Sequence, residues 1–177
     1  LNEVPVLIDM SQSTTLTHPQ AGEYLLRDVH NIAQFFRKQG LQIDENELNR
    51  IQARVTNFEA FAEALRPLSL QTSEMLLVIL GGALRLRASD VHLEPSEKAG
   101  VLRLRIDGIL YTVFSEIDVQ TYRSLMSRIK LLSNLKLNIT REPQDGRFTI
   151  KLRGANVEIR TSLIPSEYGE TTVLRVL

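Results

Sequence analysis

The chain contains no cysteine and no tryptophan among its 177 residues. Without cysteine the protein forms neither disulfide bonds nor thiolate metal sites, which fits a reducing compartment. Lysine plus arginine equals aspartate plus glutamate at 21 each, so no net charge drives binding to nucleic acid or to an anionic membrane. Its function must therefore come from local arrangements of residues.

Long apolar segments are also missing. The longest run, MLLVIL at residues 75–80, is far shorter than the roughly 20 residues of a membrane-spanning helix, so we expect no direct membrane insertion. Residues 1–20 lack the basic start and apolar core of a signal peptide, and their polar composition predicts a lead-in or linker. Because the first residue is leucine rather than methionine, we expect the chain to be a piece of a longer protein.

Residues 21–70 are predicted to form a small helical module. Apolar residues recur there at helical spacing, which predicts three short amphipathic helices. The first is expected to end at Gly40, a residue suited to a left-handed C-cap. Asp44 and Glu47 are typical of a helix start, and Asn57 is predicted to cap the third helix.

Residues 71–177 predict a second domain that combines helices with a sheet. Asp107–Gly108 between two alternating runs is a strong hairpin signal. The predicted elements are helix 73–87, strand 89–95, a hairpin of strands 101–106 and 109–114, helix 120–135, and strands 147–153, 156–164 and 171–177. This order predicts an α+β fold with a mostly antiparallel sheet of five to six strands and helices on one face. Lys130 is placed on the outward side of its helix.

The stretch SDVHLEP at residues 89–95 raises the question of a metal site. Asp90, His92 and Glu94 alternate along it, so their side chains are predicted to share one face of a strand. Such groups could hold zinc or form an acid–base pair, but a zinc site usually draws a further ligand from elsewhere. The other histidines, His18 and His30, lie in distant segments. A polar strand face is therefore favoured, and a metal-dependent hydrolase is the least favoured alternative.

Basic residues recur on the polar side of four predicted strands that are expected to be adjacent. The candidate site residues among them are Arg103, Arg105, Arg147, Arg160 and Arg175. The guanidinium fork matches phosphate oxygens, so this face is a candidate anion-binding surface. On the strand pattern alone, a solvated face that discourages edge pairing is favoured over an anion site, with Glu116, Glu158 and Glu170 balancing the charge.

No motif of a self-sufficient enzyme is present in the sequence. There is no nucleophile elbow and no G-x-x-x-x-G-K-[ST] loop to cradle the phosphates of a nucleotide. The glycine pair in LGGA, at residues 80–83, lies inside a predicted helix and is interpreted as a close-packing feature.

Five sequence blocks, in order and spacing, resemble one family. They are ASDVHLEP (88–95), RLRIDGIL (103–110), SRIKLLSNLKL (127–137), REPQDGRF (141–148) and VEIRTSLIPSEYGETTVLRVL (157–177). Together they resemble the segment just ahead of the ATPase core in the hexameric secretion ATPases. That group drives type II secretion and type IV pilus assembly and is related to the traffic ATPases of type IV secretion. The resemblance spans about residues 73–177.

The resemblance implies a PAS-like N2 domain over residues 71–177. A P-loop domain beyond Leu177 would bind ATP with magnesium, so this fragment would be inactive alone and would need no cofactor of its own. In the intact ring, arginines of the last two strands approach the terminal phosphates of ATP. At matching positions these are Arg160 in VEIRTS and Arg175 in VLRVL. The lower-ranked candidates, on the sheet face or at a subunit interface, are Arg103, Arg105 and Arg147.

The resemblance also implies partners and a location. The family predicts a homo-hexamer that works with the inner-membrane platform and with pilus or secretion machinery, in the cytoplasm and peripheral to the inner membrane. The helical module is the expected docking element, and no nucleic acid is expected. The alternative is a stand-alone module that binds phosphate-bearing or acidic ligands through its basic sheet face.

Overall fold

The computed structural model describes residues 41–42, 44–68, 72–152 and 155–177. The predicted lead-in and the first predicted helix lie outside these residues. The described helices are α1 Glu45–Arg54, α2 Phe58–Leu65, α3 Thr72–Arg85 and α4 Val119–Leu132, with a 3₁₀ turn at Arg66–Leu68.

The strands of the described chain form one sheet. They are β1 Leu41–Gln42, β2 Asp90–Pro95, β3 Gly100–Ile106, β4 Ile109–Ile117, β5 Gln144–Leu152, β6 Ala155–Ser166 and β7 Gly169–Val176, in the order β1-β5-β6-β7-β2-β3-β4. Strands β2 to β7 pair antiparallel, whereas β1 pairs parallel with β5. The predicted α+β class is confirmed. The parallel strand β1 was not predicted, because two residues carry no periodic signal.

The Asp-Gly signal does mark a tight hairpin between β3 and β4. Asp107 and Gly108 both have positive φ angles, 50° and 83°. Positive φ at both central residues is the requirement of the hairpin turn whose twist matches that of the strands. The prediction of this turn is confirmed.

The apolar face of the sheet forms the core together with the helices. Val91 and Leu93 on β2 lie opposite Leu104 and Leu102 on β3, and all four are buried. Each fully buried leucine contributes about 1.5–3 kcal/mol relative to an exposed one. The other face carries the charged strand residues, at least partly exposed apart from Asp90. Glu170 is the exception: it lies on the core side of β7 and is buried, so it does not balance the polar face as expected. The helices therefore cover one face, as predicted.

Helices α1 and α2 share this core. Ile51 of α1 and Phe61 of α2 are buried against the glycine pair of α3. A Cβ added to Gly81 would lie 2.8 Å from Ile51 Cγ2, and one added to Gly82 would lie 2.4 Å from Phe61 Cζ. Glycine at these positions lets the helices approach closely, as the sequence indicated. The described helical part thus precedes the sheet and packs with it, while the boundary at residue 70 stays a prediction.

The starts of α1 and α2 differ in one hydrogen bond, which gives a matched test. Asn57 Oδ1 accepts a 2.8 Å hydrogen bond from the backbone N–H of Ala60, whereas Asp44 makes no such side-chain bond. We expect Asn57→Ala to lower the free energy of unfolding by about 1 kcal/mol. For Asp44→Ala we expect less than about 0.5 kcal/mol. Urea denaturation of both variants checks this, and equal losses would contradict the role given to the Asn57 cap.

Lys130 lies inside the protein, contrary to the prediction that placed it outward. Its side chain is 2% exposed, and its Nζ lies 2.7 Å from both Glu170 Oε1 and the carbonyl oxygen of Ile139. The helical pattern placed Lys130 toward solvent because the sequence of one helix does not show which strand residue its side chains will contact. Glu170 on β7 supplies the buried countercharge.

Candidate functional site

Five charged side chains lie in register across the polar face of the sheet. We call them the charged row: Arg147 on β5, Arg160 on β6, Arg175 on β7, Asp90 on β2 and Arg105 on β3. Each is the direct cross-strand partner of the next. Like charges directly opposite each other are unfavourable, so the three adjacent arginines make this end of the row a region of positive potential. Such a region attracts anions.

Asp90 is the one acid of the row and its most buried member. The residue is 3% exposed, and its Oδ1 accepts a 2.9 Å hydrogen bond from Arg175 Nε. On the other side, Oδ2 accepts a 2.9 Å bond from Ser89 Oγ and lies 3.5 Å from Arg105 Nε. Asp90 therefore lies between the arginines of the two strands that flank β2, Arg175 on β7 and Arg105 on β3.

The Asp90 carboxylate keeps its negative charge although it is buried. Burial alone raises the pKa of Asp90, because the charged form loses water. Hydrogen bonds from Arg175 and Ser89, with the positive charge of Arg175, outweigh this effect and hold the pKa below its ordinary value. The carboxylate is thus ionised at neutral pH and attracts the arginines on both sides.

The arginines of the row differ in how fully they are paired. Arg105 is committed to the fold, since its Nη1 also donates a 3.1 Å bond to the carbonyl of Gly108. Arg147 is 78% exposed and lies 3.8 Å from Glu158, a weak surface pair. Arg175 is 63% exposed and contacts Asp90 through Nε only, and Arg160 is exposed without an ion pair among the described residues. The candidate residues Arg160 and Arg175 therefore retain free donors.

A second charged cluster on this face contains His92, Glu94 and Arg103, and it is paired only in part, since His92 Nε2 and Arg103 Nε have no hydrogen-bond partner among the described residues. His92 Nδ1 lies 3.9 Å from Glu94 Oε1, and Arg103 Nη1 lies 3.3 Å from Glu94 Oε2. Burial lowers the pKa of His92 below its usual value, although the nearby carboxylates oppose the shift. Arg103 is 39% exposed, against 63% for Arg175, and its Nη1 faces Glu94, so it is less accessible to an anion.

The predicted triad Asp90, His92 and Glu94 does share one strand face. Its carboxylates face arginines, however: Asp90 bonds Arg175, and Glu94 pairs with Arg103. Within the described ranges there is no group of three or more His, Cys, Asp or Glu side chains that could hold a metal ion. The geometry is that of an ion-pair network, and the metal-dependent hydrolase receives no support from it.

A cavity of about 480 Å³ lies away from the charged row, beside α4 and the hairpin turns at the other end of the strands. Its lining includes Pro95, Tyr122, Lys130 and Glu170. Lys130 and Glu170 neutralise each other there. The cavity thus carries one further arginine, Arg123, but not the three adjacent arginines that distinguish the polar face.

Comparison with known proteins bears on which anion this face meets. The family described as Type II/IV secretion system protein matches residues 70–177, which is more than half of the chain. The chain belongs to this family. A second match, to the RIO domain, covers residues 1–48 of the 177, largely outside the described residues, and the site does not involve it.

Individual members of the Type II/IV secretion system protein family show the same relationship. The chain is 45% identical over 103 residues to Type II secretion system protein E of Pseudomonas aeruginosa, covering 58% of this chain and 20% of that protein. It is 42% identical over 105 residues to the Protein transport protein HofB homolog of Escherichia coli, covering 59% and 23%. It is 38% identical over 105 residues to Type IV pilus assembly ATPase PilB of Myxococcus xanthus, covering 59% and 18%.

These relatives are proteins of secretion and pilus machinery, and the resemblance seen in the sequence is confirmed. The chain spans about a fifth of the length of each relative. The match therefore identifies a region of a Type II/IV secretion system protein.

Among the described helices, none is both long and apolar enough to cross a membrane.

Two functional features of this region were missed by reasoning from sequence. The burial of Asp90 between Arg175 and Arg105 was not predicted, because cross-strand register cannot be read from one strand. The adjacency of the strands of Arg147, Arg160 and Arg175 was expected, but their direct register was not, and β2 separates these strands from β3, which was also expected to be adjacent. Only the alternation of each strand, which placed them on the polar face, was visible.

Proposed function

We propose that this chain is the non-catalytic region ahead of the P-loop domain in a hexameric secretion or pilus-assembly motor ATPase. In this role Arg160 and Arg175 contact the terminal phosphates of ATP that the P-loop domain binds with magnesium. The region supplies ring contacts and closes over the nucleotide when ATP is present. The observation that carries the proposal is the row of adjacent arginines, Arg147, Arg160 and Arg175, on the polar face.

The pairing of the arginines supports the choice of Arg160 and Arg175. A phosphate ligand must find guanidinium nitrogens that are not already committed to protein acceptors. In the part of the chain that the structure describes, Arg160 has no ion pair and Arg175 uses only Nε. Arg103 and Arg105, by contrast, face Glu94 and Asp90. Pairing therefore separates Arg160 and Arg175 from Arg103 and Arg105, while their rank above Arg147 comes from the resemblance.

Electrostatics gives the two arginines a way to report the bound nucleotide. ATP carries its largest negative charge at the terminal phosphate, and arginines aimed at that charge stabilise it strongly where water is excluded. Loss of the terminal phosphate removes the partner of Arg160 and Arg175. The proposed mechanism is therefore closure of this region onto ATP and release after hydrolysis.

We propose the machinery around this region on the same basis. Relatives with the names of secretion system and pilus assembly proteins favour an inner-membrane platform with its pilus or secretion components as partners. The proposed location is cytoplasmic, peripheral to the inner membrane through those partners. The helices ahead of the sheet are the proposed docking element, because the charged row leaves them unused.

The test is turnover in an intact motor ATPase that contains this region. We expect Arg160→Ala and Arg175→Ala each to reduce ATP hydrolysis by about 10²-fold, because each removes a donor to developing phosphate charge. Steady-state ATPase assays measure the effect, and circular dichroism checks the fold. Normal turnover in both variants would show that the site assignment is wrong.

Arg123→Ala is the matched control. Arg123 is an exposed arginine of α4 at the cavity, away from the charged row. Its removal changes net charge by the same amount but leaves the proposed phosphate contacts intact. A loss of turnover equal to that of Arg160→Ala would attribute the effect to net charge and would contradict the proposal.

A further inference from the structure

We propose that Asp90 is a positioning residue, which holds the guanidinium of Arg175 by Nε so that its two terminal nitrogens face an oxyanion of the phosphate class. This inference rests on the proposed function, because it concerns how Arg175 meets a phosphate. It assigns a role to the SDVHLEP stretch that neither the metal hypothesis nor the arginine ranking provides.

The geometry of the contact selects one edge of the guanidinium. Arginine binds phosphate oxygens in pairs, through Nε with one terminal nitrogen or through both terminal nitrogens. Asp90 Oδ1 already accepts the Nε donor of Arg175 at 2.9 Å. The terminal pair remains free of ion pairs within the described chain and is the edge left for a ligand.

Asp90 is itself held firmly enough to act as a reference point. It is 3% exposed and lies on β2, which is paired on both sides by β3 and β7. Ser89 Oγ donates to Oδ2 at 2.9 Å, and Arg105 Nε lies 3.5 Å from the same oxygen. By comparison, Arg147 faces the partly exposed Glu158 at 3.8 Å. Of the three adjacent arginines, Arg175 is the one with a buried anchor.

An acid beside an anion site produces two effects of opposite sign. Its negative charge repels a bound phosphate, so removing that charge should tighten binding. Its hydrogen bond orders Arg175 in advance, so removing it should weaken binding, since a long side chain must then be ordered on association. The direction of the change in an Asp90 variant separates a positioning residue from a merely neighbouring charge.

The experiment uses this chain with inorganic tripolyphosphate as the probe, at low salt. Asp90→Asn keeps the shape of the side chain, removes its charge and replaces the charge-assisted bond from Arg175 Nε by a weaker neutral one, so Arg175 is held less firmly. We expect Asp90→Asn to weaken binding by about three- to tenfold, which corresponds to the ordering of one arginine side chain. Titration calorimetry or NMR chemical shifts give the dissociation constants, and thermal unfolding checks that each variant is folded.

Asp145→Asn is the matched control. Asp145 lies two residues before Arg147 on β5, so both are on the polar face of the sheet. Asp145 is exposed, and it accepts a 2.6 Å hydrogen bond from Ser162 rather than from an arginine. It loses the same charge without touching Arg175, so binding should stay unchanged or tighten. In an Arg175→Lys background, the effect of Asp90→Asn should largely disappear, because the anchored guanidinium is absent.

A measurement on the unaltered chain covers the case in which Asp90→Asn does not fold. The ¹⁵N–¹H signal of Arg175 Nε, assigned by its loss in Arg175→Lys, should be protected from water exchange without ligand. It should stay protected when tripolyphosphate is added, while the terminal nitrogens shift. Loss of that protection on binding would overturn the inference, because the phosphate would then have displaced Asp90.

The outcomes separate this inference from the proposed function. No binding of tripolyphosphate by the unaltered chain, with no shift of Arg160 or Arg175 signals, would count against the proposed phosphate contacts and would remove the inference with them. Binding that is equal or tighter in Asp90→Asn would overturn the positioning role alone. Weaker binding in Asp90→Asn with unchanged Asp145→Asn supports both.

Discussion

Replacing Lys130 by methionine is expected to lower the free energy of unfolding by about 3–5 kcal/mol, the usual result of removing one partner of a buried ion pair. Glu170 would be left 9% exposed without its countercharge. Its Oε1 lies 2.7 Å from Lys130 Nζ, the distance of a strong ion pair. The carbonyl of Ile139 would also lose its 2.7 Å donor.

Denaturant unfolding of three variants tests this expectation. Lys136→Met, at an exposed lysine a short distance along the chain, should change the free energy of unfolding by no more than about 0.5 kcal/mol. The double variant Lys130→Met, Glu170→Met should recover much of the loss, because apolar residues of similar volume often replace a buried pair without cost. A single Lys130→Met loss below about 1 kcal/mol would contradict the buried pairing.

Gly146→Ala is expected to lower the free energy of unfolding by about 2–3 kcal/mol. Gly146 lies on β5 beneath the end of α4, and an added Cβ would lie 2.4 Å from the backbone oxygen of Ser133 and 2.8 Å from Leu135 Cδ2. A backbone oxygen cannot rotate away. The end of α4 would have to lift from the sheet and strain the buried 2.7 Å hydrogen bond from Ser133 Oγ to Thr161 Oγ1.

Thermal or urea unfolding measures the loss, with Gly108→Asn as the control. Gly108 has open space where a Cβ would point, and asparagine tolerates its positive φ of 83°. We expect a change below about 1 kcal/mol at this turn. Similar losses at Gly146 and Gly108 would mean that lost glycine flexibility, and not close approach of α4, explains the Gly146 result.

The parts of the fold that could be predicted are those whose signals are local. The Asp107–Gly108 turn, the Asn57 cap and the alternation of the strands depend on neighbouring residues only, and each was located in the sequence. Helix ends were placed within a few residues, since fraying makes them the least defined part of the pattern. Strand β1 carried no signal because its two residues are too few to show a period.

The candidate site was predictable in composition but not in arrangement. Alternation placed Arg147, Arg160 and Arg175 on the polar face, and the family resemblance singled out Arg160 and Arg175. Which residue lies opposite which depends on hairpin register, and a shift of one residue would have moved each arginine to the core face. Lys130 shows the same limit. Its burial requires Glu170, which lies 40 positions later in the chain and becomes a neighbour only after folding.

The register of the charged row has a mechanical consequence. Arg147, Arg160 and Arg175 lie on three consecutive hydrogen-bonded strands, so their Cα atoms are spaced by the interstrand distance, about 4.8 Å per step. Side-chain rotation moves the guanidinium tips, but no local hinge can change the distances between their backbone anchors. A conformational change that carried these arginines toward a nucleotide would have to move the sheet as one rigid body.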